Sequence, residues 1–185
     1  AIAQGIQDGL KWFGFEEFAS TGSFLSTVEG IVKMLIFLTY MYLISRMKEI
    51  RRVFEYHGAE HKTIACYEAG EELTVENVRL QKRFHPRCGT SFMILMILIS
   101  IIISTVVQMI FPGVYTIKWL WVVAKLLMVP LICGVGFEVL KICGKYDNIV
   151  TRIISAPGLW LQRISTKEPT DDMIEIAIAA LKACE

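Results

Sequence analysis

Three long apolar runs divide the chain into alternating apolar and polar stretches. They are Val28–Ser45 (VEGIVKMLIFLTYMYLIS), Ser91–Phe111 (SFMILMILISIIISTVVQMIF) and Ile117–Leu140 (IKWLWVVAKLLMVPLICGVGFEVL). Each is close to the ~20 residues that carry a helix across the hydrocarbon core of a bilayer. Core helices of a water-soluble domain are the competing explanation. The second run argues against it, because it holds no charged residue. The pattern predicts an all-α integral membrane protein with three transmembrane helices.

Elsewhere the pattern is that of amphipathic helices. No proline stands between Val28 and Ala69, and the first strong stop is Gly70, in the place of a helix C-terminal glycine. The spacing predicts that the first span continues into the cytoplasm as one helix of about 60 Å, at 1.5 Å per residue. Gly58 is a weak point in it, costing about 1 kcal/mol relative to Ala. Thr74 reads as the N-cap of a short basic helix, and the HPRCGT stretch as a turn into the second span. Asp147–Arg163 has helical spacing, is interrupted at Ser155–Gly158, and is predicted to lie on the inner membrane surface. A last helix follows Thr170, with Asp171 and Asp172 at its positive end. Its apolar face of Met173, Ile174, Ala177, Ala180 and Leu181 needs a partner. There is no internal repeat and no low-complexity tract.

Composition agrees with the membrane reading: 54% of residues are hydrophobic and the mean hydropathy is +0.50. The net charge of +1 gives no support to a nucleic-acid partner. The basic residues are segregated: nine fall in 46–90 and six in 141–185, against one in 112–118 and one before the first span. Positively charged loops stay on the cytoplasmic side, which places 46–90 and 141–185 inside and 112–118 outside. The expected organisation follows. Residues 1–27, with Trp12, Phe13, Phe15 and Phe18 beside Glu16 and Glu17, form an extracytoplasmic interfacial segment. Residues 28–140 form the transmembrane bundle with a cytoplasmic insertion at 46–90, and 141–185 form cytoplasmic amphipathic helices. The five scattered cysteines suit reduced thiols better than a disulfide framework. No cleavable signal pattern is seen, and the opening Ala in place of Met reads as a cut or processed N-terminus.

The candidate chemistry lies in YHGAEHKTI. His57 and His61 are four apart, so on a helix they share a face and can chelate one ion. Glu60 completes an H-x-x-E-H pattern, which in inverted zinc proteases supplies two ligands and a general base, and Glu68 continues the stripe. Two solvated interfacial histidines are the plain alternative. The remaining histidine, His85, lies three residues before Cys88, and Gly89 follows in the same turn. A fold-back of 70–84 would bring His57, His61, His85 and Cys88 together at the membrane surface. Imidazole with thiolate favours zinc over magnesium or calcium. With Cys88 as fourth ligand the site is closed and Glu60 stands outside it; without Cys88, Glu60 can serve as base. Cys88 paired with a histidine as a nucleophile is a third option.

Inside the spans, Ser100, Ser104 and Gln108 lie on one face of the second run. They read as helix–helix hydrogen-bonding residues or as a pore-lining stripe. Lys125 and Glu138 are charges within the third run, each near enough to an end to snorkel. Glu138 is at the depth from which it would reach the metal site. Pro130, followed by Gly134 and Gly136, predicts a kinked or loosened helix.

RRVFEYHGAEHKTI, CYEAGEELTVENVR, HPRCGTSF, SAPGLWLQR and EIAIAALKA together resemble the YqhQ-like family of bacterial membrane proteins. The resemblance runs from about Val28 to Ala183 and includes His57, Glu60, His61, His85, Pro86, Cys88 and Gly89. It implies a metal-dependent protein of a bacterial cytoplasmic membrane, and members with a longer N-terminal part. Three functional readings stand at this point. One is a membrane-interface metal-dependent hydrolase with His57, His61 and His85 as ligands and Glu60 as base. Another is a homo-oligomeric channel or transport-like protein with a structural or gating metal. The third is a membrane scaffold. Expected partners are the lipid bilayer, further copies of the chain, and a small-molecule or ion substrate.

Overall fold

The computed structural model describes residues 5, 22–111, 113–114 and 117–184. Most of the interfacial segment expected over 1–27 lies outside them, and its residues 22–27 belong to the first helix. Among the described residues there are seven helices and no strand. They are α1 (Gly22–Ile44), α2 (Lys48–Glu68), α3 (Val75–Leu80), α4 (Gly89–Ile110), α5 (Lys118–Lys145), α6 (Ile149–Ser165) and α7 (Asp171–Lys182). Three stretches are long and apolar enough to cross a membrane: Thr27–Ile44, Gly89–Ile110 and Trp119–Lys145. They coincide with the three apolar runs. At most 17% of each is buried within the protein, and large apolar side chains such as Leu35, Ile102, Leu126 and Leu127 are exposed. α5 continues through Pro130 as one helix.

The single helix expected from Val28 to Ala69 is two helices. Ser45 Oγ donates to the Tyr42 carbonyl at 2.6 Å. The Arg46 and Met47 amides then reach back only three residues, to Leu43 O and Ile44 O. Met47 is extended, with ψ 136°. This tightened last turn satisfies carbonyls that α1 leaves unpaired. It falls where the apolar run gives way to Arg46, Lys48, Arg51 and Arg52. No glycine or proline marks the place.

The chain forms two compact units, the division falling within α1, α4 and α5. One comprises the described residues up to Phe37 with Phe92–Lys141. In it α1 closes on α4 at Gly30, where a Cβ would stand 2.2 Å from Ile101 Cγ1. Trp121, Met128 and Ile132 of α5 pack against Met96, Ile99 and Ile103 of α4.

The other unit comprises Leu38–Ser91 and Ile142 onward. Its core is Ala59 and Cys66 of α2, Val78 of α3, and Met173, Ile174 and Ile178 of α7. The apolar face of α7 therefore finds its partner in α2. α2 ends at Gly70, whose φ of +70° only glycine adopts without strain. Gly70 N–H donates to Tyr67 O and Glu71 N–H to Cys66 O, so the last carbonyls are satisfied. Thr74 caps α3 by accepting the Asn77 N–H at 3.3 Å. α6 is not interrupted at Ser155–Gly158 but runs through Pro157. Asn148 closes its start with a reciprocal capping box, Pro157 lies on the exposed side, and Gly158 is buried. A Cβ on Gly158 would fall 2.6 Å from Ser91 Cβ, so only glycine lets α6 seat on the first turn of α4.

Candidate metal centre

The second unit brings three of the sequence-predicted ligands together. One ligand atom each from His57, His61 and Cys88 lies within 4.8 Å of the others. α2 places the two imidazoles one turn apart, with ring centroids separated by 4.3 Å. Cys88 immediately precedes α4 and meets them with its sulfur 3.2 Å from His57 Nε2. His61 is 4% exposed and Cys88 6%, whereas His57 is partly exposed.

Each histidine is held by its other nitrogen. His57 Nδ1 donates to the Ser165 carbonyl at 2.8 Å, and His61 Nδ1 donates to the Arg83 carbonyl at 2.7 Å. A backbone acceptor on Nδ1 fixes the tautomer and leaves Nε2 as the ligating nitrogen, as in protein metal sites generally. Cys88 is prepared in the same way. Burial raises its thiol pKa, but His57, His61, the Thr90 hydroxyl and the Thr90 N–H outweigh that and bring it down to about 5. Its place ahead of α4 exposes it to the unpaired amides of a helix start. The Cys88 contact in turn raises the His57 pKa, against its burial. The contact thus favours the thiolate on Cys88 and the protonated ring on His57.

The donor set fits zinc. Bond lengths of about 2.05 Å to nitrogen and 2.3 Å to sulfur, at tetrahedral angles, separate ligand atoms by about 3.5 Å. The separations here, from 3.2 Å to within 4.8 Å, bracket that value. Imidazole and thiolate are poor ligands for magnesium and calcium.

His85 stands one step outward. Its ring centroid is 5.8 Å from that of His61. Its Nε2 lies 3.3 Å from a Glu68 oxygen, and the other Glu68 oxygen accepts from Arg87. Glu60 is exposed and lines an apolar groove with Tyr56 and Thr63 of α2 and Ala177, Ala180 and Leu181 of α7. It is not among the grouped ligand atoms. Glu138 pairs with Lys141 on its own helix at 3.8 Å.

Residues that sequence reasoning passed over hold the centre in place. Gln162 of α6 is fully buried. Its Oε1 accepts the His85 N–H at 2.8 Å, and its Nε2 donates to the His85 carbonyl and to Ser91 Oγ, both at 2.7 Å. One side chain thus fixes the turn before Cys88. Lys62, also buried, donates to Arg79 O at 3.0 Å and pairs with Glu168 at 2.8 Å. Glu168 pairs with Arg83 as well, whose carbonyl orients His61. Burial raises the Glu168 pKa, but Lys62 and Arg83 bring it below the usual value. A lysine directly after His61, on a turn facing the core, was the available signal.

In the first unit, Ser100 and Ser104 line a cavity of about 200 Å³ with Glu29, Lys33 and Lys125. Lys125 Nζ lies 3.0 and 3.1 Å from the two Glu29 oxygens, and Lys33 pairs with Glu29 at 2.7 Å. Ser100 Oγ donates to Ile97 O on its own helix. Gln108 is buried elsewhere on α4. Lys125 thus has a partner on α1 that the sequence reading did not single out.

A family model described as "Protein of unknown function (DUF1385)" matches residues 10–185. The "Uncharacterized protein YqhQ" of Bacillus subtilis (strain 168) is 43% identical over 152 residues, covering 82% of this chain and 46% of that protein. The chain therefore spans about half the length of the curated relative it matches. No solved structure matches.

Proposed function

The chain belongs to the DUF1385 family, and from its ligand geometry we propose that it is a zinc-dependent hydrolase of the membrane surface. The observation that carries the reading is the convergence of two imidazoles, each held by a backbone carbonyl, on one activated thiolate. Three protein ligands are the number found in catalytic zinc sites, which keep a fourth position for water or substrate. When bound there, zinc supplies a water made acidic enough to react near neutral pH. His85, backed by Glu68, is the neighbouring group suited to accept the proton. Glu60, exposed on the adjoining face of α2, is the competing base. The three apolar helices support a membrane location, and the basic residues of 46–90 and 141–185 favour a centre on the cytoplasmic side. A bacterial cytoplasmic membrane and a homo-oligomer complete the reading.

X-ray absorption at the zinc edge, with activated ester and phosphate-ester substrates in vesicles, tests it. The expected shell is one sulfur and two imidazoles with a lighter exchangeable ligand. His85→Gln should keep zinc and lower turnover about 100-fold, the scale of general-base loss; Glu60→Gln is the matching variant for the competing base. A shell of four protein ligands would refute the hydrolase. Two features favour a second reading in that event. His85 stands near enough to be recruited as fourth ligand, and the Lys125–Glu29 cavity puts paired charges inside the spans. The metal would then be structural in a channel or transport-like protein, tested by ion flux in liposomes with Lys125→Met as the control.

A further inference from the structure

α6 is apolar on the side that the protein does not cover. Its buried side is Thr151, Gly158, Leu161, Gln162 and Ser165. On the opposite side Ile149, Ile153 and Trp160 are 72%, 65% and 51% exposed. They recur at four and seven residues, the spacing of a single helical stripe. Arg152 and Arg163, three turns apart, run along one edge of that stripe. A surface helix facing water would have the reverse polarity. The fold also fixes where this helix is. Its first residue follows the span-length stretch ending at Lys145 after only three residues, a reach of at most ~14 Å. Its middle is seated on the first turn of α4 through Gly158 and Ser91, and Gln162 bonds that same turn. Both attachments are to ends of apolar span-length helices. Beside the stripe, Phe84, Arg152, Trp160 and Arg163 line an open groove. Arg152 is engaged by Asp147, whereas Arg163 has no ion-pair partner among the described residues.

We infer that α6 is an in-plane membrane helix whose exposed stripe enters the headgroup layer and whose Arg163 edge binds anionic phospholipid. The occupant is a lipid because the face is apolar, tethered at two points to helices long and apolar enough to cross a membrane, and bordered by a guanidinium with no ion-pair partner among the described residues. This rests on the membrane reading of the three apolar helices and is independent of the metal.

The test uses the whole chain in vesicles of brominated phosphatidylglycerol or brominated phosphatidylcholine. Trp160→Phe and Trp119→Phe are exposed substitutions, and subtracting each from wild type isolates one indole. Trp119 reports on the span and Trp160 on α6. The expected result is quenching of both, with Trp160 quenched more strongly by the anionic lipid. Arg163→Gln should remove about a fivefold preference, the effect of one basic residue near an anionic surface. Trp119 quenched with Trp160 unquenched would overturn the inference and leave the membrane reading intact. Neither indole quenched would overturn both. Equal quenching of Trp160 by the two lipids would overturn the anionic preference.

Discussion

Gly58→Ala separates two physical effects of opposite sign. On helix propensity alone the substitution stabilises α2 by about 1 kcal/mol. The structure predicts the reverse. A Cβ at residue 58 would lie 2.0 Å from the Lys167 carbonyl oxygen, well inside van der Waals contact. That oxygen belongs to backbone, and the Lys167 amide is itself bonded to Phe54 O at 2.8 Å, so it cannot swing aside. Overpacking of this kind costs about 1–3 kcal/mol, and a rigid neighbour puts the cost at the upper end. Subtracting the propensity gain leaves a net loss of about 2 kcal/mol. The displaced segment also carries Ser165 O, which orients His57. Zinc affinity should therefore fall by about 10-fold or more, as for other outer-shell changes. Thermal unfolding of zinc-free protein in detergent and a chelator competition with zinc read the two effects. Gly70→Ala is the control: its φ of +70° predicts a loss of about 1–2 kcal/mol with zinc affinity unchanged. A Gly58→Ala protein as stable as wild type, or more so, would refute the close-approach argument.

Three further predictions concern other parts of the structure. In metal-free protein, alkylation of Cys88 followed by peptide mass spectrometry should titrate near pH 5 instead of 9.0, and zinc should block it; a midpoint in the ordinary thiol range would contradict the geometry. The thiolate's contribution to stability is full above the unfolded thiol value and is lost as pH falls through about 5. That of the His57 imidazolium is full below its unfolded value and is lost as pH rises through its raised folded value. Gln162→Leu strands the His85 N–H and carbonyl and should cost about 3 kcal/mol in thermal unfolding, with weaker zinc binding. A double-mutant cycle of Glu29→Gln and Lys125→Met should show coupling on the order of 1 kcal/mol, reduced by solvent access to both groups; additive effects would remove that pair from the account.

The three long apolar helices were legible because length and apolarity alone decide them. The grouping of His57 and His61 with Cys88 was legible because the chain has three histidines and they flank one loop. Gly70 was legible because a glycine after a long helical pattern has one common use. The break at Ser45–Met47 was not, since it is made by backbone bonds and a change of surroundings instead of by a glycine or proline. Gly58 was misread as a weakness because propensity sees only its own helix, whereas its neighbour is Lys167, far along the chain. Gln162 escaped for a similar reason. A polar residue in an amphipathic helix suggests the solvent side, but α6 turns its polar residues inward, where they bond the turn before Cys88, and its apolar ones outward. The Glu29–Lys125 pair joins two separate apolar runs, and no pattern within either one announces it.

Metal content tests the central claim most directly. Plasma mass spectrometry on purified wild type, His57→Ala and Cys88→Ser would measure it. The account predicts about one zinc per wild-type chain, lost from His57→Ala and weakened or lost in Cys88→Ser, because a site assembled by folding binds through all of its ligands. A wild-type protein that stays free of metal when zinc is offered, or a His57→Ala variant that holds zinc as firmly, would contradict it.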